Sequence, residues 1–388
     1  MSMSYKSELR VAIVAGEASG DILGSALLKE LNERFSKVES VGIGGPLMLK
    51  QGFESWYPMS ELSVMGYVEV IRKLPRLIRI RLSLIRRILN YQPDLVIGID
   101  SPDFNLLLER SVRKGGIPVI HLVSPSIWAW RYERIHKIRE SLDRMLVLFP
   151  FEEKIYESEG IPVSYVGHPL ADQIEVTIDR IRYRDELDLS RDQKLVALLP
   201  GSRRSELKQH LELMSDTANI IRARYSDVRF LVPLLDDDAI AYARAHLSRS
   251  GKGLINEIQF TPGNTQRVLK AADVAIIASG TATLEALLCE CPMVVTYKVS
   301  KLTAWLMRRR AKTKFVSLPN IIANEMLVGE FIQEKARSNF LANAVISLFE
   351  RPEELGYMRI RFQQIKKILR VGSASRSADA IEEFILNK

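Results

Sequence analysis

The chain carries four short polar stretches whose residue types can handle an anion or a proton: Gly16-Glu17-Ala18-Ser19-Gly20-Asp21, Asp100-Ser101-Pro102-Asp103-Phe104-Asn105, Gly201-Ser202-Arg203, and Ser279-Gly280-Thr281 with Glu285 one turn later. A small polar turn that opens a helix leaves backbone N–H groups unpaired at the positive end of the helix dipole, which suits an anion. Ser279-Gly280-Thr281 has this form, because it follows the apolar run 272–278 and precedes the helix formers Leu284 to Leu288. Glu285 would weaken a pure phosphate site, so it either faces solvent or binds something uncharged with hydroxyls. Gly201-Ser202-Arg203 adds a guanidinium to its N–H groups and suits a diphosphate. Asp100 ends the apolar run 93–100, where an open α/β sheet places a general base. Small residues around Glu17 and Ser19 let a ligand approach the backbone closely. That turn matches neither G-x-G-x-x-G nor the Walker pattern, which demotes a dehydrogenase or a P-loop enzyme.

Other residues carry a chemical reading beside a structural one. His168 is an acid, base or phosphate donor, or a packed core histidine. Trp128, Trp130 and Arg131 line a sugar or acyl pocket at a strand end, or simply pack. Asp236-Asp237-Asp238 has the D-x-D spacing of a metal and nucleotide site but directly precedes Ala239, where helix-start carboxylates are expected. Asp103 reads as a helix cap. Cys289 and Cys291 have no second Cys/His pair at zinc spacing and read as reduced core thiols; no metal site is expected.

The elements that must position these groups alternate. Apolar runs at 9–15, 41–43, 93–100, 117–123, 143–149 and 163–166 read as buried parallel strands, each followed by a helical pattern. The polar stretch 171–192 breaks the series, which resumes at 194–199, 229–234, 258–261, 272–278 and 293–297. The expected class is α/β, with two Rossmann-like domains facing each other across a cleft. Their expected spans are 1–180 and 190–350, with a helical tail domain over 351–388; helical structure is expected to begin already at Glu330 and Gln333. Between 70 and 89, Leu74, Leu77, Ile78, Leu82, Ile85, Ile88 and Leu89 form one helical stripe, and Arg76, Arg79, Arg86 and Arg87 gather on another face. Pro75 fits a first helical turn. A second basic run, 301–314, holds Trp305, Arg308, Arg309 and Arg310.

With 388 residues, 47% of them hydrophobic, the chain supports two globular domains with ample core. A formal net charge of +8 favours an anionic partner: nucleic acid, an acidic membrane surface or a phosphorylated substrate. The polar first ten residues are no signal peptide, and no apolar run reaches the ~18 residues that span a bilayer. A soluble or peripheral protein is expected.

Taken in order, the stretches at 16–21, 42–45, 99–105, 124–131, 166–170, 199–203 and 279–285 resemble those of the lipid-A-disaccharide synthase family along nearly the whole chain. The resemblance implies a GT-B fold and an inverting, metal-independent glycosyl transfer without a cofactor. It joins UDP-2,3-diacylglucosamine to 2,3-diacylglucosamine 1-phosphate (lipid X), giving a β-1,6 disaccharide and UDP in the lipid A pathway of a Gram-negative bacterium. By this resemblance Asp100 is the base, Glu17 and Ser19 lie on the acceptor side, and Asn320 and Gln333 lie near the donor. Gly201, Ser202, Arg203, Ser279, Gly280 and Thr281 would then hold the diphosphate and Glu285 the ribose. One departure is Gly329 before Glu330, where the family usually has proline. Both substrates are acylated and membrane-resident, so Arg76, Arg79, Arg86, Arg87, Trp305, Arg308 and Arg309 are expected to seat the protein on anionic lipid at the cytosolic face of the inner membrane. A homo-oligomer remains open. The competing readings are another UDP-sugar enzyme of the same fold, such as a UDP-N-acetylglucosamine epimerase or transferase, and a basic nucleic-acid-binding protein. The last has no recognition helix, zinc spacing or aromatic RNA platform in its favour.

Overall fold

A computed structural model of the chain describes residues 8–62, 67–250, 258–299 and 313–387. They form two compact units, one of residues up to Asp172 joined by those from Leu369 onward, the other Gln173–Ile368. Each is a parallel sheet flanked by helices.

In the first unit, strands β1 (Leu9–Ala15), β2 (Val38–Ile43), β3 (Glu54–Ser55), β4 (Leu95–Ile99), β5 (Val119–Leu122), β6 (Arg144–Val147) and β7 (Val163–Tyr165) take the order β3-β2-β1-β4-β5-β6-β7. The near-continuous apolar runs of β1 and β4 are buried on both faces, as a helix-covered parallel sheet requires. Val11, Ile13, Ile97 and Ile99 pack on one side with Leu27, Leu28 and Ile381. Ala12, Val14 and Val96 pack on the other with Leu84, Ile88, Leu108 and Val112.

In the second unit, β8 (Leu195–Leu199), β9 (Arg229–Leu234), β10 (Ile258–Pro262), β11 (Val274–Ala278), β12 (Met293–Tyr297) and β13 (Gly329–Ile332) take the order β10-β9-β8-β11-β12-β13. Both sheets reverse direction of strand addition once, between β1 and β4 and between β8 and β11. These are the switch points outside which α/β sheets bind ligands.

Three expectations are corrected. Glu330 and Gln333 do not start a helical tail. Gly329–Ile332 extends the sheet beside β12, Gln333–Lys335 makes one 3-10 turn, and the next helix begins at Ser338. The final helix, Ser373–Leu386, returns to the first unit: Asp172 accepts from Gly372 N (3.0 Å) and Ser373 N (2.6 Å), and Arg34 donates to the Ser375 carbonyl (3.0 Å) and pairs with Asp379. The basic helix runs Tyr67–Tyr91, so Pro75 lies inside it, and its apolar residues divide between two faces. Ile80, Leu84 and Ile88 enter the core, whereas Leu74, Ile78 and Leu82 are 47%, 39% and 52% exposed. Spacing of four residues links each set, so the helix presents a second, uncovered apolar stripe.

Candidate functional site

The second-sheet site is built by two adjacent strand ends. Parallel pairing of β8 with β11 (Leu199 opposite Ile277) brings the turns that follow them side by side. Between them lies an open groove lined by Gly201, Ser202, Arg203, Glu206, Leu234, Thr265, Ser279, Gly280, Thr281 and Glu285 among others. The helix Thr281–Leu288 opens there, with exposed Gly280 and Thr281 at its positive end. Glu285 stands half-buried one turn in. Burial raises its pKa, opposed by a hydrogen bond from Gln266. A desolvated carboxylate in a groove needs a donor, and sugar hydroxyls are suitable ones.

The Gly201-Ser202-Arg203 turn differs from expectation in one respect. Two of its N–H groups are already engaged: Glu206 Oε2 accepts from Ser202 N (3.1 Å) and Arg203 N (3.2 Å). Glu206 occupies the third position of the helix Arg204–Arg224, where a carboxylate commonly folds back over the helix start. Gly201 has φ +106°, and a Cβ there would lie 2.5 Å from Glu206 Oε2, so only glycine fits. What this turn offers a diphosphate is therefore the Arg203 guanidinium, 81% exposed and 3.7 Å from Glu206. Glu206 is a groove residue that the sequence reading passed over, although the capping spacing Arg203 to Glu206 was its signal. His210, one turn later and buried, hydrogen-bonds the Glu206 carbonyl (3.0 Å) and accepts from Lys298 N (3.2 Å), tying the end of β12 to this helix.

Asn320 and Gln333 lie outside the groove lining, and each is committed elsewhere. Asn320 is fully buried; its amide donates to the Val328 carbonyl (2.9 Å) and Glu330 Oε1 (2.9 Å) and accepts from Val328 N (2.8 Å). Glu330 gathers that donor with Val316 N and with Ser317 N and Oγ. The Gln333 amide, oriented to satisfy both its atoms, pairs with Val299 N (3.0 Å) and O (3.1 Å). Both residues organise the loops beside β12 and β13.

The first-sheet site lies at the other switch point. Glu17 and Ser19 are exposed after β1, and Asp100 is partly exposed after the neighbouring β4. Gly16 packs against Ser101, so the two turns touch. Asp100 and Ser101 both take left-handed conformations, φ +51° and +47°. Asp100 N donates to the Leu122 carbonyl (3.0 Å). Asp21 faces away and caps the next turn, accepting from Gly45 N, Leu47 N and Met48 N at 2.9–3.0 Å.

Most of the remaining candidates take structural roles. His168 packs on Phe149, its Nδ1 accepts from Leu170 N (3.2 Å), and burial pushes its pKa down to about 4. Trp128 donates to buried Glu152 (3.1 Å), while Trp130 is 47% exposed with Arg131 stacked on it. Asp236 caps its helix through Ala239 N (2.8 Å), and Asp103 pairs with Arg134 (2.7 Å). Cys289 and Cys291 are buried free thiols. Arg76 pairs with Glu61, Arg87 stacks on Trp56 (4.3 Å), and Arg79 and Arg86 are exposed. Trp305, Arg308 and Arg309 lie outside the described residues.

Comparison with known proteins agrees with this arrangement. A family profile described as "Lipid-A-disaccharide synthetase" matches residues 11–384. The lipid-A-disaccharide synthase of Methylobacillus flagellatus is 43% identical over 376 residues, 97% of this chain and 99% of the relative. That of Pseudomonas fluorescens is 44% identical over 379 residues, 98% and 99%. Among solved structures, the UDP-GlcNAc 2-epimerase of Neisseria meningitidis bound to UDP-GlcNAc aligns with a TM-score of 0.61 at 13% identity, covering 99% of this chain and 100% of that one. A calicheamicin glycosyltransferase aligns at 0.56 and 13%, covering 98% of each. At such identities these two structures show the GT-B arrangement of two parallel-sheet domains, and the fold alone.

Proposed function

The chain belongs to the lipid-A-disaccharide synthase family, and from that premise we propose that its two switch-point sites divide one glycosyl transfer between them. It is a hexosyltransferase of lipid A biosynthesis. The second sheet holds UDP-2,3-diacylglucosamine: the start of the Thr281 helix and the Arg203 guanidinium take the diphosphate, and Glu285 accepts hydrogen bonds from the ribose hydroxyls. The first sheet presents the acceptor, lipid X, with Glu17 and Ser19 beside it.

Asp100 takes the proton of the acceptor's 6-hydroxyl as that oxygen attacks the anomeric carbon. The new C–O bond forms as the bond from the anomeric carbon to the diphosphate breaks on the opposite face, which inverts the centre. Charge accumulating on the departing UDP meets Arg203 and the helix start. These steps use protein groups alone. The observation that carries the reading is the pair of sites itself, a strand-end carboxylate at one switch point and an anion groove with a desolvated Glu285 at the other.

The exposed stripe of Leu74, Ile78 and Leu82 beside Arg79 and Arg86 supports a peripheral seat on the anionic cytosolic face of the inner membrane, where both lipids reside. Among the described residues no helix is long and apolar enough to cross a membrane.

The test is incubation with UDP-2,3-diacylglucosamine, with and without lipid X, following UDP and the lipid product. UDP release and disaccharide that both require lipid X are expected. Release at the same rate without lipid X, or epimerised sugar in place of disaccharide, would overturn the proposal.

A further inference from the structure

Behind Asp100 lies a buried polar cluster that the reaction as written does not use. Asn105 is fully buried on the helix Pro102–Lys114, and its Nδ2 donates to the Asp100 carbonyl at 2.8 Å, with the Val14 and Ile99 carbonyls at 3.2 and 3.3 Å. One amide group thus clamps the ends of β1 and β4. Four residues on, and so on the same face, fully buried Glu109 meets fully buried His121 of β5, Oε1 to Nδ1, at 2.5 Å. Gly98, paired with His121 across the sheet, leaves the room for this contact, since a Cβ there would overlap Glu109. The residue after His121 is Leu122, whose carbonyl holds Asp100 N.

Stability does not account for this cluster. Asn105 Oδ1, Glu109 Oε2 and His121 Nε2 are buried without hydrogen-bond partners, which is costly, and apolar side chains of similar size commonly replace a buried ion pair without loss. Around the cluster the backbone is strained: Asp100, Ser101 and β-branched Val123 have φ of +51°, +47° and +81°. Such conformations persist only where surrounding structure enforces them, and they gather at working sites. Burial opposes protonation of His121, yet the Glu109 and Asp100 carboxylates outweigh it and raise its pKa.

We propose that Asn105, backed by the Glu109–His121 pair, is a positioning residue that holds the left-handed Asp100–Ser101 turn and so aims the Asp100 carboxylate. This rests on Asp100 being the base. A misplacement of about 1 Å in a reacting group costs roughly a hundredfold in rate, and a turn with two left-handed residues has ample freedom to drift by that much once the clamp is lost.

The experiment measures kcat and both lipid KM values by UDP release, with UDP affinity by calorimetry, for Asn105→Ala alone and combined with Asp100→Asn or Ser101→Gly. Asn105→Ala is expected to lower kcat about a hundredfold with KM and UDP affinity kept. Added to Asp100→Asn it costs nothing further, because the group it aims is gone. Ser101→Gly, which takes the left-handed turn without enforcement, restores part of the lost rate. The neutral double variant Glu109→Gln/His121→Gln reproduces the pattern. If Asn105→Ala does not fold, Asn105→Leu, which fills the space without a donor, is read the same way. Additive loss on Asp100→Asn, loss of UDP affinity together with rate, or failure of both variants to fold would make Asn105 a stability residue and overturn the inference. A wild-type rate for Asp100→Asn alone would instead overturn the base assignment beneath it.

Discussion

Glu285 is the residue whose chemistry the groove defines most closely. It sits where an anion would be expected, yet it is itself an anion, and burial raises its pKa against a hydrogen bond from Gln266. Ribose hydroxyls resolve that conflict. Glu285→Ala is predicted to weaken UDP binding by about 1.5–3 kcal/mol, roughly ten- to a hundredfold, and to leave the lipid X KM unchanged. Calorimetry with UDP checks this, and an unaltered UDP affinity would remove Glu285 from the donor site. At this scale the strand-end residues were legible, because an apolar run followed by a polar turn marks a sheet's carboxyl edge. The free N–H groups assigned to Gly201-Ser202-Arg203 were not. Spacing shows that a turn can bind an anion, but not that the chain's own Glu206 already fills it. The internal bonds of Asn320 and Gln333 were not legible either, since an amide's hydrogen-bond partners come from other loops.

At the scale of elements, the βα alternation fixed strand positions well because parallel strands buried on both faces leave unbroken apolar runs. The return of Ser373–Leu386 to the first unit left no such mark; it depends on Arg34 and Asp172, far away in the chain. The Tyr67–Tyr91 helix shows a third limit, since two apolar faces superimpose into one apparent stripe when only the sequence is read. Among helix starts, that of Pro150–Ser158 carries a titration. Glu152 accepts from Phe149 N and Trp128 Nε1, both at 3.1 Å, and burial raises its pKa from 4.5 to about 7. The folded state therefore keeps this proton to higher pH than the unfolded chain. Stability attributable to Glu152 is full below about pH 4.5 and declines as pH rises toward 7, by at most about 3 kcal/mol at 1.36 kcal/mol per unit. Urea unfolding at pH 5 and pH 8 should show this decline in the wild type and much less of it in Glu152→Gln. An equal decline in both would assign it to other groups.

For the whole molecule, charge favoured an anionic partner without choosing among nucleic acid, membrane and phosphorylated substrate, and the family settles the reaction class. The net charge of +8 did not reveal which arginines are engaged; Arg76, Arg79, Arg86 and Arg87 are all exposed, with Arg76 paired to Glu61 and Arg87 stacked on Trp56. Replacing Arg79 and Arg86 by glutamine is predicted to weaken binding to anionic vesicles at low salt by about 1 kcal/mol per residue, with a smaller effect at Arg76. Vesicle sedimentation measures it, and unchanged binding would remove this helix as an anchor. The central claim is the division of labour between the two sheets, and Asp100→Asn tests it most directly when UDP release with both lipids and UDP affinity are measured on the same preparation. The account predicts a rate lower by about 10²–10⁴-fold with UDP affinity intact. A rate equal to wild type, or a loss of UDP affinity matching the loss of rate, would contradict it.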